Sequence, residues 1–433
     1  MLNKEQSQAV LTKALDSTKL RINATLNSTS DGTTRIANSE INQNVSINDM
    51  ALSVTVYDGK KFATNSTNVL TDEGIKKVVA EAEELVKFVP ESEYEAFPFS
   101  KEPVAEVPFA NLAADFGPVK RADILKEGLS FIEKDFTAAG ALNLNQNSFA
   151  IASSDGGFRY AAIESIDFNT VVTHKDGAAG SGDCVSYKKV PDIVSSFKKA
   201  QKTSAAARNP ISPELGSHTV VLSPSAFGDL VGFMGYMMNA KAVDDGISFA
   251  IGKIGEKVFG DNFTLTDFPG HPELMQLPFD FEGNPRTKLT LVDKGVVKEL
   301  LYDNVLAKRH GKKSTGHGFS YGQGGYPMHM VVEAGDKSEE EIIKGTKKGV
   351  YINEFHYTNF VNPRNLQITG LTRNGTFLIE DGVVTKPIAT VRFTVSLLDI
   401  FNKITAVTKE QVLSGRAFVP GVKIEEFTFT SKP

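Results

Sequence analysis

Four turn signals that contain glycine limit the folds open to this chain more than any other feature of its sequence. Each lies beside alternating or β-branched residues, and tight hairpin turns need the positive φ angles that glycine tolerates. Each signal therefore predicts two antiparallel strands joined by a short turn. The third signal has lysine directly before glycine, which indicates a slightly longer loop. The four signals are Asp58-Gly59, Asp155-Gly156, Lys294-Gly295 and Asp381-Gly382.

Helical patterns lie between the predicted hairpins. Ser338 followed by Glu341 fits a capping box, in which each side chain accepts a hydrogen bond from an otherwise unpaired amide of the first turn. In the other segments, apolar residues recur at spacings of three and four, which is typical of an amphipathic helix. The predicted helices span residues 4–15, 72–88, 122–136, 191–206, 224–242 and 338–348.

Proline-rich breaks divide the chain. Residues 89–118 are rich in proline, which blocks strand ladders and disfavours helix in the residue before it, so an extended connector is expected there. Pro210 and Pro213 mark a second break, just before an apolar strand. Together these features predict an α+β fold with an N-terminal mixed α/β domain at residues 1–213 and a C-terminal domain rich in antiparallel β-sheet at residues 214–433.

Charge and cysteine content exclude several classes of function. The chain has 52 acidic and 47 basic residues, a formal charge of -5, so nucleic acid is not an expected direct ligand. Cys184 is the single cysteine, and the start MLNKEQSQAVLTK lacks the apolar core of a secretory signal, which predicts a cytoplasmic protein. The most apolar run, at residues 226–240, is shorter than the ~20 residues that cross a bilayer, so no membrane segment is expected.

Three histidines, His310, His317 and His329, lie close together in a glycine-rich segment. Neutral imidazoles bind zinc, so a metal site built from them is one hypothesis. Their spacing does not match the His-Glu-x-x-His pattern that places two ligands and a general base on one helical face. The alternative is that they are loop histidines with no shared ligand.

Three carboxylates, Asp267, Asp280 and Glu282, lie in a neighbouring loop-rich segment. Paired carboxylates can divide general acid and general base roles when their environments separate their pKa values. Loop carboxylates beside proline and glycine also cap turns or pair with arginine. Both readings are open from the sequence.

An ordered series of motifs in the second half of the chain resembles the TldD/PmbA family. TRIANSEINQN near the start extends the resemblance over nearly the whole chain. The motifs are FDFEGNPRT, LTLVDKGVVKELLYD, AKRHGKKSTGHG, VVEAGDKSEEEIIKGTKKGVYI and VNPRNLQITGLTRNGTFLIEDG.

The resemblance implies a chain without its own zinc. In the proteolytic branch of this family, the helix after VVLSPSAFGDL carries His-Glu-x-x-x-His, with a third ligand from a cysteine near the C-terminus. Here that helix reads GFMGYM, which places Gly232, Phe233 and Met237 at the ligand, base and ligand positions, and the tail has no cysteine. None of these side chains suits catalytic zinc. The family therefore implies no catalytic residue and no cofactor in this chain.

The same resemblance implies a role in a complex. The chain looks like the PmbA branch, also called TldE, so a TldD-like zinc protease subunit is the expected partner and an unfolded peptide the expected substrate. A homodimer is a further option for the isolated chain. The signature residues Arg364, Thr369, Gly370 and Arg373 are expected near the shared substrate cleft, although the glycine also suits a turn.

Two other functions compete with this one. The first is an atypical metallopeptidase that uses the histidine site. The second is a non-enzymatic protein-binding regulator, in keeping with the family's older label as a modulator of DNA gyrase. The sequence identifies neither the peptide substrate nor the partner.

Overall fold

Two β-sheets organise the chain in the computed structural model, which describes residues 1–107, 109 and 111–432. The strands of the first sheet are β1 (Arg21–Ala37), β2 (Glu40–Asp58), β3 (Lys61–Thr67), β4 (Phe136–Ser153), β5 (Gly157–His174) and β6 (Ala179–Ser186). They pair antiparallel in the order β3-β2-β1-β4-β5-β6.

Four helices pack against this first sheet. They are α1 (Lys4–Leu15), α2 (Asp72–Val86), α3 (Pro118–Leu129) and α4 (Ile193–Ala206). Helices α1 and α2 bury their apolar sides on one half of the sheet, and α3 and α4 cover the other half. The segment from Val89 to Gly117, within the described residues, contains one regular element, a 3-10 turn at Leu112–Asp115.

The second sheet is larger and mixed. Its strands are β7 (Gly216–Leu222), β8 (Leu265–Asp267), β9 (Leu289–Asp293), β10 (Val296–Val297), β11 (Met330–Val332), β12 (Lys348–Asn362), β13 (Gln367–Glu380), β14 (Val383–Pro387), β15 (Arg392–Ser396), β16 (Ile404–Ser414) and β17 (Ala417–Ser431). Strand β17 pairs with β7, β11, β15 and β16. Because β7 also pairs with β12, the strands β7, β12, β13, β15 and β17 close into a ring.

Five helices accompany the second sheet in the described part of the chain, four of them with six residues or fewer, and the largest core cluster forms around the first and longest. They are α5 (Pro224–Met237), α6 (Ala240–Asp244), α7 (Asn304–Arg309), α8 (Glu339–Lys344) and α9 (Leu397–Phe401). Phe227 and Met234 of α5 are fully buried against the ring strands. No helix in the described part of the chain combines the length and apolarity that a membrane span requires.

The predicted α+β fold and all four hairpins are confirmed. The turns join β2 to β3, β4 to β5, β9 to β10 and β13 to β14. The prediction of a longer loop at the third turn is wrong. Lys294 and Gly295 alone connect the two strands, with φ angles of 45° and 81°. Lysine occupies the left-handed region that asparagine or aspartate usually fills in such turns.

Of the six predicted helices, 72–88 and 191–206 differ from the structure by two residues at one end, and three others differ by more. The segment 122–136 is helical from Pro118 to Leu129, because proline is tolerated in the first turn, and Phe136 already begins β4. The segment 224–242 is two helices, since Asn239 accepts a hydrogen bond from the Lys241 amide and starts α6. The segment 338–348 ends at Lys344, although its predicted capping box is present.

Candidate functional site

Helix α5 lies beside a groove of about 540 Å³. Ser223 begins the helix, since its hydroxyl accepts a hydrogen bond from the Ala226 amide at 3.2 Å and donates one to the Asn353 carbonyl at 2.6 Å. Pro224 follows in the first turn, where its missing amide hydrogen has no helical partner to lose. Helix α5 is therefore fixed at its start to strand β12.

Aromatic side chains from distant parts of the chain form the groove walls. Phe233 of α5 meets Phe360 edge to face, with ring centroids 4.8 Å apart. Tyr236 of α5 lies 6.0 Å from Tyr326, and the guanidinium of Arg416 lies over the Tyr326 ring at 5.2 Å. Such walls can contact an apolar or aromatic ligand, while Arg416 offers a positive charge at the rim.

The positions of the degenerate metal motif fall on two sides of α5. Gly232 and Phe233 line the groove, and no atom lies within 4 Å of the place where a Cβ on Gly232 would stand. Met237 is 2% exposed and belongs to the core. A glycine, a phenyl ring and a buried thioether do not fit a catalytic zinc ion. Within the described residues, no group of three or more His, Cys, Asp and Glu side chains is arranged to hold a metal.

The structure separates the three histidines. His310 follows α7, and its Nε2 lies 2.7 Å from Asp244. His317 and His329 are fully buried and share a different carboxylate, with His317 Nε2 at 3.1 Å and His329 Nδ1 at 3.4 Å from Asp267 Oδ1. The hypothesis of one metal site built from all three therefore has no support in their geometry.

The buried carboxylate of Asp267 organises this region. Its second oxygen accepts hydrogen bonds from the backbone amides of Met328 and His329, at 2.9 and 3.0 Å. Burial alone would raise the pKa of Asp267, but the two histidines outweigh it and hold that pKa below its usual range. Burial lowers the pKa of His329 despite the neighbouring carboxylate. The contacts of the two rings with Asp267 Oδ1 lack the alignment of full hydrogen bonds.

Asp280 and Glu282 cap turns. Asp280 accepts hydrogen bonds from the amides of Glu282, Asn284 and Gly318, and Glu282 accepts one from the Asn304 amide. Burial raises the pKa of both carboxyls, and the proximity of Asp280 adds to the effect on Glu282. Their backbone contacts match the turn-capping reading of the sequence.

The four signature residues lie outside the groove lining. Arg364 and Arg373 are exposed, and Arg373 pairs in register with Glu354. Thr369 donates a hydrogen bond to the Phe393 carbonyl at 2.8 Å, and Gly370 is buried against the Phe393 ring. Their expected place at a substrate cleft stays a prediction.

Sequence reasoning missed two charged residues of the groove. Asp229 lies one helical turn before Gly232, so it projects from the same side of α5 and reaches solvent through the groove. Desolvation of the carboxyl by the surrounding protein, together with the negative charges of Glu354 and Asp183, raises the pKa of Asp229 to about 7. Helical spacing could have identified Asp229. No local signal identifies Arg416, which a distant turn between β16 and β17 brings to the site.

Family models match two parts of the chain. The model described as the PmbA/TldA metallopeptidase C-terminal domain matches residues 215–431, and the model of domain 1 of the same proteins matches residues 26–86. The first match alone covers half of the chain and includes the whole second sheet.

Curated relatives match shorter segments. A protein named as a metalloprotease from Methanocaldococcus jannaschii is 26% identical over 46% of this chain and 45% of its own length. The metalloprotease PmbA of Escherichia coli is 24% identical over 41% of this chain and 39% of its own length. The chain thus spans less than half the length of these two relatives.

Solved structures match nearly the full length of the chain. TldE from Thermococcus kodakarensis superposes with a TM-score of 0.88 at 20% identity, covering 98% of this chain and 99% of that one. A candidate modulator of a DNA gyrase from Thermotoga maritima gives a TM-score of 0.88 at 20% identity, covering 99% of this chain and 100% of that one. At this identity, the likeness establishes a shared fold.

Proposed function

Because this chain belongs to the PmbA/TldD metallopeptidase family, we propose that it is the metal-free, PmbA/TldE-like subunit of a TldD/PmbA-type metalloprotease. The observation that carries the proposal is the groove face of α5, where Gly232 and Phe233 stand and Met237 turns into the core. None of these three side chains can bind catalytic zinc or act as a general base, and Asp229, the one carboxylate of α5, belongs to no group of three or more metal ligands in the described part of the chain. Zinc is expected in a TldD-like partner, which would supply the hydrolytic step in the cytoplasm.

The groove suits a role in holding an extended peptide. Its aromatic walls provide apolar contact, Asp229 and Arg416 provide one charge of each sign, and the open space above Gly232 leaves room for a peptide backbone. Within the described residues, neither charged residue belongs to a group of side chains arranged to hold a metal. Both are therefore proposed to position a substrate rather than to cleave it.

Activity in a reconstituted pair tests the proposal. Mixing the purified chain with its cognate TldD-like zinc subunit is expected to raise hydrolysis of an unfolded peptide well above that of either protein alone. Filling the groove with Gly232→Trp should remove most of that gain. Val119→Trp is the matched control, because Val119 is a helical residue 72% exposed on α3, away from the groove lining.

Two results would contradict the proposal. One is hydrolysis in the pair that is unchanged by Gly232→Trp while the variant remains folded. The other is zinc bound one-to-one by the isolated chain, measured by elemental analysis, together with peptidase activity that the metal confers. The second result would favour an atypical metallopeptidase.

A further inference from the structure

Groove-lining residues recur along one side of α5 at positions i, i+3, i+4 and i+7, which a helix brings onto one face. They are Asp229, Gly232, Phe233 and Tyr236. Gly232 leaves a gap in this row, since no atom lies within 4 Å of the place where its Cβ would stand. Asp229 stands one turn before the gap, and Phe233 follows the gap directly. The gap is therefore bordered by a carboxylate and an aromatic ring.

Asp229 has no cationic partner in the described part of the chain. Its side chain is exposed, and it has neither an ion pair nor a side-chain hydrogen bond with another described residue. The charged groups that act on it are two further carboxylates, Glu354 of β12 and Asp183 of β6. Lys199 attracts Asp183 but does not reach Asp229. This end of the groove therefore has an excess of negative charge that a ligand can reach.

Arg416, the cation among the groove-lining residues, already has a partner of its own. Its guanidinium lies over the Tyr326 ring at 5.2 Å, and that ring lies 6.0 Å from the ring of Tyr236, two helical turns beyond Asp229. No ion pair joins Arg416 to Asp229 within the described residues. The groove is therefore negative beside Asp229 and positive beside Tyr326.

We propose that the groove on α5 selects peptides by an alkylammonium group, which lies against Asp229 and the Phe233 ring beside the gap at Gly232. A carboxylate and an aromatic ring both attract an ammonium ion, and both do so more strongly where protein excludes water. A lysine side chain and the N-terminus of a peptide supply this same group. An anionic group at this end would instead meet the negative charge of Asp229 and its two carboxylate neighbours.

The inference rests on the proposed function in one respect, because it takes the ligand of the groove to be a peptide substrate. Binding of the ammonium group itself requires no zinc subunit and no cleavage. It is therefore measured on the full chain alone, separately from the hydrolysis assay of the reconstituted pair.

Isothermal titration calorimetry with short peptides tests the selection. The first peptide has a central lysine and blocked ends, and the second has norleucine in place of lysine, which keeps the apolar stem and removes the charge. The third is the norleucine peptide with a free N-terminal amine. At about pH 7.5, above the pKa of about 7 of Asp229, lysine remains protonated. The lysine peptide or the free-amine peptide is expected to bind about fivefold tighter than the blocked norleucine peptide, which identifies the source of the ammonium group.

Two variants locate the ammonium group. Asp229→Asn should reduce the gain in affinity to less than about twofold, while affinity for the blocked norleucine peptide stays unchanged and shows that the variant is folded. Phe233→Leu keeps an apolar side chain but removes the ring, so it should lower the same gain in part. Asp399→Asn is the matched control, because Asp399 is an exposed helical aspartate of α9 outside the groove lining, and it should preserve the gain.

Equal affinities of the three peptides would overturn the inference, and so would a gain that survives Asp229→Asn. In the reconstituted pair, stimulated hydrolysis that is the same for all three peptides would also overturn it, while the proposed function would stand. Selective binding of the ammonium peptides by a chain that stimulates no zinc subunit would support the inference and contradict the proposed function.

Discussion

Replacing Asp267 by alanine removes the anion at the centre of the most buried polar cluster described above. Asp267 is fully buried, and its loss leaves the amides of Met328 and His329 without their acceptor. Each unpaired buried amide costs about 1–3 kcal/mol. The imidazole of His317 also loses its charged neighbour at 3.1 Å. We therefore expect Asp267→Ala to lower the free energy of unfolding by about 3–5 kcal/mol.

Urea unfolding followed by circular dichroism measures this loss. Asp267→Asn keeps an oxygen that can accept the two amide hydrogens, so it should cost less, about 1–2 kcal/mol. Asp261→Ala is the control, because that side chain is 77% exposed and pairs with Lys257 at the surface; it should change stability by less than ~1 kcal/mol. A loss below ~1 kcal/mol for Asp267→Ala would refute the reasoning.

The same cluster sets a direction for the pH dependence of stability. The pKa of Asp267 is lowered by folding, so its contribution is present above the unfolded value of about 3.9 and is lost as the pH falls through the folded value. The pKa of His329 is also lowered by folding, so below about pH 6.5 this imidazole binds a proton more readily in the unfolded chain, and protonation favours unfolding. Both groups make acid destabilising.

Three further predictions concern other sites. The pKa of Asp229 is raised to about 7, so its protonated form stabilises the fold at low pH, and that stabilisation is lost as the pH rises through about 7. In urea unfolding, Asp229→Asn should therefore be more stable than wild type at pH 8 but not at pH 4. Gly232→Ala should leave the free energy of unfolding unchanged or raise it by up to ~1 kcal/mol, because its Cβ enters open space. Gly128→Ala should lower that free energy by about 1–3 kcal/mol, because its Cβ would meet the buried Phe197 ring at 2.2 Å. Equal melting temperatures for the two variants would contradict this. Burial raises the pKa of Cys184 to about 11, so iodoacetamide should label it far more slowly in folded than in unfolded protein at pH 7.5.

Local backbone chemistry explains which parts of the fold were predictable. The turn at Asp381-Gly382 needs two positive φ angles, and both residues tolerate them, so the hairpin could be identified from the sequence. The ends of α3 could not be identified, because the proline content places Pro118 in the connector, whereas the first turn of a helix also accepts proline. The pairing of β17 with β7 joins strands far apart in the sequence, and no local pattern encodes it.

The candidate site, like the fold, could be predicted from the sequence only in part. Gly232, Phe233 and Met237 could be placed on one helix in advance, but their separation into groove and core depends on what packs around α5. Asp267 was identified as one of three clustered carboxylates. Its true partners are two histidines, His317 and His329, which strand β11 and the preceding loop bring to it.

The late position of β17 in the sequence affects how the chain folds during its synthesis. This strand contacts four others, including β7, which the ribosome synthesises much earlier. The apolar sides of β7 and α5 therefore remain uncovered in the nascent chain until residues 417–431 emerge. Exposed apolar surface of this kind favours aggregation of a nascent chain, and we expect a premature stop codon before β17 to leave the second sheet open to proteolysis.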